Sequence, residues 1–128
     1  MLTPVWIPRE LIIALHLRQL SEHGGGAGLR DEGLLDSALQ RPHNKFEYEE
    51  PDLADLAAAY AFGIAKNHPF IDGNKRTALV ASFTFLYVNG LKVTTTQEEN
   101  TTQFFALAAG EVSENQLAEW FRSNTSPR

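Results

Sequence analysis

Residues 68–76 read His-Pro-Phe-Ile-Asp-Gly-Asn-Lys-Arg and lie between two of the most apolar runs of the chain. A histidine with its ordinary pKa of ~6.5 takes a proton from a hydroxyl at neutral pH, so His68 has the chemistry of a general base. A carboxylate beside phosphates is a natural Mg²⁺ ligand, which suits Asp72. Gly73 permits a tight turn and close approach of a ligand to the backbone. If Asn74 opens a helix, the N–H groups of its first turn have no intrahelical partners and stand at the positive end of the dipole. Lys75 and Arg76 add two cations at that same end, where the dipole disfavours them. An anion is required to balance them, and a phosphate group does so by a familiar mode. The same residues also make sense as a helix-capping His68, an Asp72-Gly73 turn and a solvated helix start at Lys75-Arg76. Taken alone, they leave both readings open.

The segments that must position this stretch read as helices. Pro8 suits a first helical turn, and Leu11, Ile12, Leu15 and Leu20 follow at helical spacing until Gly24. Residues 23–31 form a Gly-rich loop, and Asp31 caps a short second helix predicted to stop before Arg41-Pro42. The polar stretch 41–51 then connects to a third helix, with Phe46 and Tyr48 as anchors. Asp52 caps that alanine-rich helix, which runs to Asn67 and suits the interior. Pro69 ends it after His68, and Phe70 and Ile71 can anchor the loop in the core. From Thr77 to Gly90 apolar residues cover every side of a helical projection, the pattern of a buried central helix. Leu91 to Thr96 reads as a brief extended segment. Thr96/Glu99 and Ser113/Gln116 read as capping boxes opening two further helices, which end near Gly110 and Ser123. The expected fold is all-α: a compact bundle of about six helices, one domain over residues 1–128, with the helix after the polar loop at its centre.

Composition narrows the functions. The formal net charge is −5, so no global positive field favours nucleic acid or an anionic membrane, and any phosphate chemistry must be local. Cysteine is absent, which excludes disulfides, thiolate nucleophiles and cysteine-ligated zinc. The N-terminal segment lacks a positive leader before an apolar run, and no stretch of about 18 apolar residues occurs, so a cytoplasmic location is expected.

The stretch His68–Arg76 resembles the signature of the Fic/Doc family, written His-x-Phe-x-Asp/Glu-Gly/Ala-Asn-x-Arg, with every fixed position present in order. Residues 24–42, 52–70 and 85–90 extend the resemblance, toward the death-on-curing (Doc) branch, over most of the chain. The resemblance implies that His68 is the base for a target hydroxyl and that Asp72 binds Mg²⁺. Gly73 and Asn74 would help form an anion hole, and Arg76 would contact a nucleotide phosphate.

Two positions depart from the AMP-transferring Fic pattern. Lys75 replaces its second glycine, and Leu79 stands where its final arginine belongs. Lysine fills space that glycine leaves to a nucleotide phosphate and brings a compact charge suited to a terminal phosphate. Loss of the arginine removes a planar clamp for the γ-phosphate. The Doc branch, with Asn-Lys-Arg as here, implies a toxin kinase that transfers the γ-phosphate of ATP to a threonine of elongation factor Tu and arrests translation. It also implies a partner antitoxin whose C-terminal helix lies in a groove beside the site. Phe46, Tyr48, Phe104 and Phe105 are candidates for lining that groove, or are simply core. The alternatives are an AMP transferase that tolerates Lys75 and a non-catalytic, nucleotide-regulated binding module.

Other features carry less. The glycines of residues 24–28 lack the Gly-Lys-Ser/Thr that would make a phosphate loop, so a flexible helix connection is expected there, with a flap over the site as the family's version of it. His16, His23 and His43 show no ligand spacing and read as surface or structural histidines. Thr95 to Asn100 matches the loose self-inhibitory pattern of some Fic proteins. Its arginine partner is Leu79 here, so the match reduces to the Thr96/Glu99 capping box.

Overall fold

A computed structural model describes residues 3–128. Helix α3, Leu53–Asn67, starts on a capping box in which Asp52 accepts from the Asp55 amide at 2.8 Å and Asp55 accepts from that of Asp52 at 3.0 Å. Its alanines let neighbouring helices approach closely, and residues 56–61, Gly63 and Ile64 are all buried. Helix α4, Asn74–Val88, follows the polar loop and packs on α3, burying Asn74, Thr77, Ala78, Ala81, Ser82, Phe85 and Leu86. This is the expected central helix, but α3 shares the centre with it. Tyr87 and Val88 at its exit are exposed, so the all-round apolar pattern overstated burial there.

Around this pair stand α1 (Arg9–His23), α2 (Glu32–Tyr48), α5 (Gln97–Ala108) and α6 (Glu114–Ser123). The described residues thus hold six helices, with one small sheet, and the all-α expectation stands. Strand β1, Leu91–Val93, realises the brief extended segment and pairs antiparallel with β2, Thr125–Pro127, so that Lys92 faces Ser126. The sequence reading had no partner for it. Both expected capping boxes are present, Thr96 with Glu99 and Ser113 with Gln116. None of the described helices is long and apolar enough to cross a membrane.

Helix α2 departs from expectation. It was to end before Arg41-Pro42, yet it continues through Pro42 to Tyr48. Proline cannot donate to the carbonyl of Ala38, which normally bends or ends a helix. Here that carbonyl lies against α3, where a Cβ on Gly63 would stand 3.0 Å from it. Pro42 is buried, Phe46 packs edge-on against Trp6 at 5.6 Å, and Lys45 pairs with Glu114 of α6 at 2.6 Å. These tertiary contacts hold the last turns in helix. Phe46 is therefore an anchor, whereas Tyr48 is 78% exposed and anchors nothing.

The inward face of α1 consists of Ile12, His16 and Gln19, two of them polar. Ahead of α1, the Ile7 amide donates to the Tyr60 hydroxyl at 3.1 Å, tying the N-terminal segment to α3. Burial pushes the Tyr60 phenol up to about 12, a shift that its bond from Ile7 opposes.

Candidate functional site

The loop between α3 and α4 begins with His68 in the left-handed conformation, φ 53° and ψ 53°, the single non-glycine positive φ among the described residues. Pro69 bars further helix, and Phe70 turns inward, 1% exposed, where it stacks on His16 with ring centroids 3.8 Å apart. The expected second anchor, Ile71, is instead 56% exposed. His16 is fully buried, and its Nε2–H donates to the carbonyl of Asp72 at 2.8 Å. It is a structural histidine that fixes both the aromatic anchor and the acidic tip of the loop. Its i+4 spacing from Ile12 was the signal that it faces inward.

Asn74 is 3% exposed, and its side chain serves the loop. Its Oδ1 accepts from the Phe70 amide at 2.9 Å, and its Nδ2 donates to the Phe70 carbonyl at 2.9 Å and to His68 Nδ1 at 3.1 Å. The bonds to Phe70 fix which end of the amide faces His68. Nδ1 is therefore an acceptor, and the neutral ring carries its proton on Nε2. Action as a base through Nε2 requires the other tautomer, in which the ring has turned from Asn74 and its proton has passed, by exchange with solvent, from Nε2 to Nδ1. What Asn74 itself can offer a ligand is its backbone N–H.

Gly73, at φ 77°, is the N-cap of α4 and supplies no capping side chain. The first-turn N–H groups of α4 are consequently left without that partner. Asp72 Oδ1 accepts from the Gly73 amide at 2.7 Å. Lys75 and Arg76 follow on α4; the ion pairs among the described residues involve other cations, such as Arg9, Arg41 and Arg122. The Lys75 ammonium lies 3.6 Å from the ring centroid of Phe105, which is itself 60% exposed on α5. Of the aromatics considered for a groove, Phe104 is core and Phe105 stands at the site.

The structure thus gathers every predicted site residue: His68, Asp72, Gly73, Asn74, Lys75 and Arg76 line one cleft of about 360 Å³, with Ala108 of α5 as its apolar wall. A larger cleft of about 610 Å³ lies between α2 and the start of α6, but its cations Arg41 and Lys45 are already paired with Glu114, each at 2.6 Å.

The Gly-rich segment is pinned to the loop rather than free. Leu29 bridges Phe70 in antiparallel fashion, Ile71 donates to the Gly28 carbonyl at 3.1 Å, and Arg30 and Asp31 both donate to the Pro69 carbonyl. A Cβ on Gly25 would stand 2.7 Å from Asp72 Oδ2. Sequence reasoning found the glycines but not this pairing, for which no local pattern exists.

A model of the Fic/DOC family matches residues 6–86. "Protein kinase doc" of Escherichia phage P1 is 37% identical over 117 residues, 91% of this chain and 92% of that protein. "Toxin Doc" of Mycolicibacterium smegmatis is 46% identical over 72 residues, 55% of each chain. With the signature loop placed between α3 and α4 and these matches spanning most of its length, the chain belongs to the Fic/DOC family, in its Doc branch.

Proposed function

We propose that the protein is a Doc-like toxin kinase that transfers the γ-phosphate of ATP to a serine or threonine hydroxyl of a translation factor, elongation factor Tu being the expected target. One observation carries the reading. A helix start without a capping side chain and two cations that form no ion pair among the described residues share a cleft with His68 and Asp72.

The chain's residues suit the substrate. The backbone N–H groups from Gly73 onward and the cations Lys75 and Arg76 bind the phosphates, which are the anion this end of α4 lacks. No cluster of three potential metal ligands occurs among the described residues, so a protein-only metal cage is absent. Asp72 alone suits Mg²⁺, which binds through one or two carboxylates together with substrate phosphates. Bound there, the metal supplies charge neutralisation on the phosphates. His68 takes the proton of the target hydroxyl on Nε2 once its ring has left Asn74 and its own proton has moved to Nδ1. The hydroxyl oxygen bonds to the γ-phosphorus as the bridging P–O bond breaks, and ADP leaves. Catalysis of this kind is mostly positioning and charge neutralisation.

Lys75 and Leu79 separate this reading from AMP transfer. Lys75 brings a side chain and a charge where the AMP-transferring pattern has glycine, and Leu79 provides no guanidinium. A cognate antitoxin is the expected regulator, with a helix that covers the exposed Phe105 at the cleft's edge. The test is incubation of the protein and elongation factor Tu with ATP labelled at the α- or the γ-phosphate. Label carried from the γ position alone supports the kinase. Label from the α position means AMP transfer, and nucleotide binding without transfer means a binding module.

A further inference from the structure

We infer that Arg30, outside the signature, is a positioning residue for His68. A residue's φ and ψ are set by the two peptide planes that flank it. The planes flanking His68 carry the carbonyls of Asn67 and His68, and one guanidinium holds both: Arg30 Nη2 donates to Asn67 O at 2.9 Å and Nε to His68 O at 2.7 Å. The backbone N–H of Arg30 then donates to the next carbonyl, that of Pro69, at 2.7 Å. Three successive carbonyls thus accept from a single residue.

The held conformation needs holding. L-residues avoid the left-handed region, and His68 is the one non-glycine among the described residues with a positive φ. The plane before His68 is also held by its own N–H, which donates to the Ile64 carbonyl at 3.1 Å, whereas the plane after it carries the Pro69 ring and has no N–H, so Arg30 bears most directly on the second. The rigid fork of arginine matches two carbonyls of fixed spacing, whereas lysine offers a point charge. The direction of the His68 Cβ, and with it the approach of Nδ1 to Asn74, follows from the planes that Arg30 fixes. Arg30 also lies in the segment pinned along the loop, just before the α2 cap Asp31, so the clamp is anchored at its base.

A simple cap on the end of α3 would stabilise the helix without directing the histidine, and the test separates the two. Arg30→Ala and Arg30→Lys are compared with the unaltered chain by ¹³C and ¹⁵N NMR of His68 and by thermal unfolding. Positioning predicts that in Arg30→Ala the His68 Cα shift leaves its left-handed value and the Nδ1 signal loses its hydrogen-bonded shift. Arg30→Lys, which keeps a charged donor group but not the fork, restores them in part and serves alone if Arg30→Ala does not fold. Unchanged His68 signals alongside a lowered melting temperature would overturn the proposal. The rate readout rests on the kinase reading: γ-phosphate transfer at saturating ATP falls roughly ten- to a hundred-fold with KM for ATP unchanged. Moved His68 signals in a protein that transfers nothing would leave the positioning intact and remove the kinase.

Discussion

Asn74 donates to His68 Nδ1 from 3.1 Å, and its amide cannot turn round because both its ends are bound to Phe70. The contact exists only while Nδ1 lacks a proton. Asn74→Asp replaces the donor with an acceptor, so the His68 proton is expected to move from Nε2 to Nδ1. The ¹⁵N shifts of the imidazole read this directly, and an unchanged tautomer would remove Asn74 from this role. The substitution also leaves the Phe70 carbonyl without its donor, at a cost on the order of 1 to 3 kcal/mol.

Lys75→Ala should weaken ATP binding by roughly tenfold or more, since a hydrogen bond to a charged group contributes about 1.5 to 3 kcal/mol. Calorimetric titration at two salt concentrations checks it, because the loss must shrink as salt screens the unaltered protein. Phe105→Leu, which frees the ammonium from its ring, should change affinity far less. Equal effects of the two substitutions would mean that Lys75 is a packing residue.

Gly25→Ala is expected to disturb the Gly-rich segment twice over. The backbone there has φ +123°, and the new Cβ would meet Asp72 Oδ2 at 2.7 Å. A loss of roughly 1 to 2 kcal/mol follows from the backbone alone and is measured as a lowered urea midpoint. Amide exchange at Ile71, whose N–H bonds to Gly28, should accelerate with it.

Burial raises the Tyr60 phenol to about 12, so the folded chain holds its proton more tightly than the unfolded chain, where the value is 10.0. Stability from this group is complete below pH 10.0 and is lost as pH rises from there to about 12. The loss totals on the order of 2 to 3 kcal/mol. Denaturation midpoints across this window should fall for the unaltered chain and fall less for Tyr60→Phe, and parallel curves would reject the assignment.

Much of this was legible because it is local. Asp52, Thr96 and Ser113 announce their helices from the residue just before each, and His68 to Arg76 lie so close in sequence that any loop between helices brings them together. The extension of α2 was not legible, because Pro42 is tolerated through the packing of Ala38 on Gly63 of α3, a partner distant in the chain. Arg30 escaped for the same reason, and His16 was legible as a structural histidine but not in its role, because their partners are backbone carbonyls, which no residue pattern reveals. Asn74 was found with an incomplete role, since only the structure shows its amide occupied by Phe70 and His68. Phe105 was a candidate for the wall of a groove, and its place beneath Lys75 ties that wall to the phosphate clamp.

The loop is built onto the interior: Phe70 and Asn74 are buried, and the helices on either side of it form the centre of the molecule. A segment so rooted opens at nearly the free energy of global unfolding, unlike a lid or a frayed terminus. The backbone of the loop therefore has no inexpensive off state of its own. On the toxin reading, a cell that needs this protein silent and later active must block the cleft from outside with something removable, and the half-life of that blocker, rather than any opening of the loop backbone, would time the response.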